Sequence, residues 1–391
     1  MLALLTGFVW QPHSAVVAQT STRVACNQTA ILAAITQANA AGGGTITFNC
    51  RAVTIPMTLG FGTIQSNVVI DGEDRDIVLE YTTNFAGCST GDNGIDGPAI
   101  GHMREQGSTV RNLTFKHFLE SLQIIGPNNV VEHNVFIGHL CADDAVSTLT
   151  VNTLNATIRQ NRIENYNDKG IQMSYGSGTI EGNTFVDALY AIRGPYDNSA
   201  GGTFVIRSNV FATTGNRAEC SGVRIDGTYH IVFEDNTVRC FRGLNLGGGT
   251  QAIVRGNLFD GNPRQGIQVG GKAMASVSGN TVINNGLTPG GGDPPGGVIV
   301  FENGQADLGG GSLVIGGKTV SSSGGNSVRG NGTADVRNLR AGYTLKAQGN
   351  CWDHQQVAQI LTDDTEGTVD VDPASASCQV PSAPRNLRIV E

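Results

Sequence analysis

The sequence predicts an all-β fold, a right-handed parallel β-helix with an N-terminal capping helix, and three observations predict it. The 391 residues include 54 glycines and only 15% charged residues, the balance of short buried strands joined by tight turns rather than of long helices. An Asn shortly before an aliphatic or aromatic residue recurs at Asn112, Asn134, Asn161, Asn183, Asn209, Asn236, Asn257, Asn280 and Asn326, in steps of 21 to 27 residues and a last step of 46 that reads as two coils of 23. Between these anchors run short alternating segments such as Val130-Val131-Glu132 and Ile231-Val232-Phe233-Glu234. They are too short to form independent sheets, so each must stack on its neighbours. In such a coil, equivalent positions of successive turns lie about 4.8 Å apart. Asn suits the corners because it tolerates the left-handed backbone and can hydrogen-bond to the next coil.

Residues 1–18 carry an apolar run and end in Ala15-Val16-Val17-Ala18, which reads as an export signal with a small-residue cleavage site. The β-helix is then expected over 19–380. Its open N-terminal end is expected to be covered by an amphipathic helix, Thr29 to Ala41, in which Ile31, Ala34, Ile35 and Ala38 recur at helical spacing before Gly42-Gly43-Gly44. Solenoids need such caps because a bare end exposes apolar core and strand edge together. Trp352 and the segment to Cys378 are expected to cover the other end, and 381–391 reads as a linker to a further module.

Eight cysteines fit an exported chain, and none forms a C-x-x-C pair. Proximity and coil spacing favour Cys26 with Cys50, Cys220 with Cys240 and Cys351 with Cys378, although eight cysteines allow about 105 pairings and sequence does not decide among them. A net charge of -8 without any Lys/Arg run argues against nucleic acid, whose phosphates demand a concentrated basic surface. No segment after the leader has about 18 uninterrupted apolar residues, so no membrane span is expected. The mature chain is expected to be secreted and monomeric. Asp71-Gly72 with Asp74 and Asp76 reads as a turn, because the spacing of a calcium loop fails there.

Chemistry in a β-helix sits on its outer face, since the interior is filled with apolar side chains. Counted from the Asn anchors, Glu120, Asp143 and Asp144, then Asp168 and Lys169, then Arg193 fall at similar positions on four consecutive coils, with steps of 24 from Glu120 to Asp144, from Asp144 to Asp168 and from Lys169 to Arg193. One lateral column of acids and cations is therefore expected. Carboxylates about 5 Å apart on adjacent strands raise one another's pKa unless a cation joins them, and Ca²⁺, which takes six to eight hard oxygen ligands, is the natural partner. Arg224 and Asp226 lie one coil on and either extend the groove or pair within the sheet.

These residues carry a resemblance. Cys141-Ala142-Asp143-Asp144-Ala145-Val146-Ser147, then Asp168-Lys169-Gly170-Ile171-Gln172, then Leu189-Tyr190-Ala191-Ile192-Arg193 resemble the central coils of β-helical pectate lyases of polysaccharide lyase family 3. The resemblance implies that Glu120, Asp143 and Asp144 hold calcium, that Lys169 binds the substrate carboxylate and takes part in catalysis, and that Arg193 is the base. Asp168 and Arg224 are expected beside the substrate. Where the family has a basic residue shortly before the Arg, this chain has Tyr190. The implied reaction is β-elimination on an acidic, uronate-containing, pectin-like polysaccharide. Its difficult step is removal of the C5 proton, which becomes easier when the adjacent carboxylate is neutralised. Two other readings stand beside it: a non-catalytic adhesin or carbohydrate-binding scaffold, and a polygalacturonase-type hydrolase, which needs two carboxyl groups flanking the bond.

Overall fold

The computed structural model describes residues 20–82, 101–139, 144–148, 155–194, 201–215, 220–288 and 294–375. The expected export signal, the linker, Asp143, Cys88, Cys141 and Cys378 lie outside them. Strands stack into three long sheets of 14, 12 and 11 strands, and within these sheets every described pairing is parallel. A two-stranded antiparallel hairpin, Ser312–Ile315 with Lys318–Ser321, stands outside them. The chain is a parallel β-solenoid, as the repeat predicts.

The helix spans Gln28–Ala40 and buries Ile31, Ala34, Ile35 and Ala38. Asn27 starts it by accepting the Ala30 N–H at 2.9 Å, which satisfies one of the amides that a first helical turn leaves unpaired. The coil interior is filled in register. On the 11-stranded sheet, Phe115, Phe136, Ile163, Phe185 and Phe211 are successive partners, with Phe115 and Phe136 stacked at 5.0 Å and Phe185 and Phe211 at 4.9 Å. Each such ring contributes about 1.5–3 kcal/mol by leaving water.

The asparagines form a buried ladder. The Nδ2 of each donates to the Oδ1 of the next, from Asn134 through Asn161, Asn183, Asn209, Asn236, Asn257, Asn280 and Asn326 to Asn350. The same Oδ1 atoms accept a backbone N–H from the preceding coil, as Asn209 Oδ1 does from Asn183. Two expectations are corrected here. Asn112 is not a rung: it stands one residue early with φ +57°, and it is Leu113 whose N–H donates to Asn134 Oδ1. In the rungs the interior residue follows two places after the Asn, whereas after Asn112 the interior Phe115 is three places on. The step of 46 residues is one coil, because Asn280 bonds directly to Asn326 at 2.9 Å; the extra length holds the antiparallel hairpin.

Cys26 with Cys50 and Cys220 with Cys240 are disulfide-bonded, as spacing suggested. Cys351 is also disulfide-bonded. Among the described residues no helix is long and apolar enough to cross a membrane.

Candidate active site

The expected polar residues that are described come from the 12-stranded sheet or the corner leading into it, and its strand register decides which of them meet. Glu120 pairs with Asp144, Asp144 with Lys169, Lys169 with Tyr190, Tyr190 with Ser221 and Ser221 with Arg242. Three residues further along the same strands runs a second file: Gln123, Ser147, Gln172, Arg193, Arg224, Asn245 and Gln268. The single column expected from the sequence is thus two. Glu120 and Asp144 share a register, but Lys169 rather than Asp168 faces Asp144, and Arg193 faces Gln172 rather than Lys169. The reason is the corner between the rung and this strand, which runs from Asn134 to Asp144, from Asn161 to Lys169 and from Asn183 to Tyr190, that is 10, 8 and 7 residues. Counting from the rung carries those differences into the register.

Glu120 is buried, and its carboxylate accepts from Gln123 Nε2 at 2.9 Å and from Ser147 Oγ at 2.5 Å. The Asp144 backbone lies beside it, and Asp143 is outside the described residues. Lys169 is ion-paired with Asp168 at 2.6 Å. The other Asp168 oxygen, Oδ1, is buried without a hydrogen-bond donor, an acceptor one strand from Asp144.

Among the described residues, Arg193 is the largest fully buried side chain, only 1% exposed. Its guanidinium packs on the Tyr190 ring, with Cζ 4.0 Å from the centroid. Burial, with the charge of Arg224 on the next strand, holds Arg193 below the usual arginine range, against the opposing pull of Tyr190 and Asp168. Tyr190 lines the cleft described below, and Arg193, the residue expected to be the base, lies buried against its ring. Arg224 is paired with Asp226 at 2.8 Å. Burial alone lowers its basicity, but Asp226 and the neighbouring Tyr190 outweigh that and raise it.

Tyr190, Arg224 and Asp226 open a cleft of about 420 Å³ that continues over Arg242, Asn245, Gln268, Phe301 and Glu302. It crosses five successive strands, or four strand spacings of about 4.8 Å, which is a groove suited to an extended chain. Gly270 borders Phe301 closely, and a Cβ there would collide with the ring; the aromatic face in the groove depends on this glycine. Of the sequence-predicted residues, Arg224 lines the cleft, Arg193 lies beneath it, and Lys169 adjoins it through Tyr190. Tyr190, Arg242, Asn245, Gln268 and Phe301 were missed. Propagating strand register would have found most of them, since Arg224, Asn245 and Gln268 follow one another at 21 and 23 residues.

A family model described as a right-handed β-helix region matches residues 155–341. No curated protein matches the sequence. Among solved structures, the A-module of mannuronan C-5 epimerase AlgE4 from Azotobacter vinelandii aligns with a TM-score of 0.51 at 14% identity, covering 90% of this chain and 95% of that one. The AlgE6 A-module from the same organism aligns with a TM-score of 0.40 at 16% identity, over 90% and 95%. An alginate lyase from Paenibacillus sp. str. FPU-7 aligns with 0.41 at 14%, over 89% and 99%. At these identities the likeness concerns the fold.

Proposed function

We propose that this chain is a secreted polysaccharide lyase that holds an acidic, uronate-containing polysaccharide along the cleft and cleaves it by β-elimination. The observation that carries the reading is the placement of Tyr190, a hydroxyl-bearing ring lining the cleft, packed on the buried Arg193 and flanked by Arg224. Elimination removes the C5 proton, forms the C4–C5 double bond and releases O4 with its electron pair, to which a proton is returned. Tyr190 is the group placed to move that proton, because negative charge on its oxygen is met by two guanidiniums in a partly dry setting. Arg193 acts through Tyr190 as a positioning residue. Arg224 and Lys169, from the strands on either side of Tyr190, neutralise the C6 carboxylate and so make the C5 proton removable. Asp168 orients Lys169 through their ion pair. Glu120, Asp143 and Asp144 would hold calcium, whose charge when bound adds to that neutralisation. The AlgE4 module, whose fold is shared, is named for a reaction at C5 of mannuronan, the carbon at which elimination also begins, and this supports a uronate substrate. Pectin-like polymers are the expected class, with mannuronan the alternative to set beside them.

The test is incubation of the full chain with polygalacturonate and, separately, polymannuronate, with and without calcium, reading the ultraviolet absorbance of a 4,5-unsaturated product. Binding to these polymers with no product under any condition would support a binding scaffold instead.

A further inference from the structure

At the C-terminal end of the solenoid three carboxylates meet. Val336 pairs with Thr365 on the last strands of the 12-stranded sheet, which sets the preceding residues side by side, so that the Asp335 N–H donates to the Asp364 carbonyl at 2.9 Å. Asp353 arrives from the connection between those strands, its Oδ2 accepting the Gly330 N–H at 2.7 Å. One carboxylate oxygen of each residue lies within 4.8 Å of one from each of the others. Asp335 and Asp364 are 2% and 4% exposed, while Asp353 is exposed.

A second observation singles out Asp335. A second, shorter amide ladder runs through Asn262, Asn285 and Asn331, each Nδ2 donating to the next Oδ1. Asn331 in turn donates its N–H and Nδ2 to Asp335 Oδ1 at 3.1 and 2.8 Å. Asp335 therefore ends the ladder with one oxygen, a task that an Asn amide oxygen performs in every preceding rung. Its other oxygen, Oδ2, is buried with no donor. A charged oxygen buried without a hydrogen bond is costly, and two neighbouring carboxylates increase the cost. Ladder geometry does not require that charge, whereas a cation shared by the three residues compensates it.

We infer that Asp335, Asp353 and Asp364 form a binding site for a hard divalent cation of the calcium class, which ties the final coil to the segment that closes the solenoid. All three ligands are carboxylate oxygens, the donor set such ions prefer, and the exposed Asp353 provides the entry side. The site lies eight strand steps along the sheet from Glu120 and is independent of the proposed lyase chemistry.

The experiment uses the full chain carrying Asp144→Asn, so that the other acidic group contributes less, stripped with chelator and titrated with calcium chloride by calorimetry and by melting temperature. One calcium per chain and a melting temperature raised by several degrees are expected, because a ligand that binds only the folded state stabilises it. Asp353→Asn, at an exposed position, is expected to weaken binding roughly tenfold or more through loss of a charged ligand. Asp335→Asn keeps the acceptor for Asn331 and is expected to remove the calcium response. If the Asp144→Asn chain binds no calcium, or if both further variants bind it as tightly as that chain, the inference is overturned.

Discussion

The Arg193 guanidinium lies under the Tyr190 ring, 4.0 Å from its centroid, and this pair links the core of the solenoid to the floor of its cleft. Because Arg193 is buried and Tyr190 lines the cleft, the two residues have separable effects. Tyr190→Phe keeps the ring on the guanidinium and loses only the hydroxyl. It is expected to lower turnover by about 10²–10⁴, the usual worth of a positioned proton-transfer group, with an unchanged melting temperature. Steady-state kinetics and a thermal melt on the same sample check it.

Arg193→Lys retains a charge but loses the flat surface that meets the ring. It is expected to lower both melting temperature and turnover, since a cation–π contact out of water is worth about 2 kcal/mol. A variant with full activity and an unaltered melt would remove Arg193 from the account.

Arg224→Ala is expected to raise KM more than it lowers kcat, because a carboxylate partner in the cleft is lost in the ground state as well as in the transition state. The variant also leaves Asp226, now paired at 2.8 Å, with its charge exposed to the incoming polymer. The split between KM and kcat distinguishes this from the effect of Tyr190→Phe.

The ladder makes a prediction about stability. Asn209→Ala removes an Nδ2 that bonds Asn236 and the Ile180 carbonyl, and an Oδ1 that Asn183 uses. It is expected to cost about 1–3 kcal/mol for each buried group left unsatisfied. Asn112→Ala, outside the ladder, is expected to cost less, because it loses one part-buried bond to Asp71. Urea unfolding of the two variants compares them directly.

Much of the fold was legible because the interior repeats: an Asn rung with an apolar residue two places on marks each coil by itself, without knowledge of its neighbours. The capping helix was readable for a similar reason, its apolar residues and glycine stop being local. The site was less legible because it depends on how strands from different coils line up. The corner after each rung varies in length, so counting from Asn161 and Asn183 misplaced Arg193 by three residues relative to Lys169. Glu120 and Asp144 were matched because the early rung, misread at Asn112 instead of Leu113, did not enter the 24-residue step between them. That Tyr190 covers Arg193 follows from side-chain packing, which residue spacing does not encode.

Asp71 supplies a pH dependence. Burial pushes its carboxyl up, but hydrogen bonds from Asn112, the Glu73 N–H and Arg111 outweigh burial and hold it below its usual value near 3.8. The stability this contributes is full above that value and is lost as pH falls through the lowered folded one. Asp71→Asn is therefore expected to flatten the fall in stability with acid below pH 3.8, as measured by unfolding curves over that range.

The measurement that bears most directly on the central claim is the formation of a 4,5-unsaturated uronate when the full chain meets polygalacturonate or polymannuronate, followed by ultraviolet absorbance beside the Tyr190→Phe variant. Steady growth of absorbance is expected with the parent chain, near silence with the variant, and equal polymer binding by both. Absorbance that never grows with either polymer, or that grows equally with the variant, would contradict it.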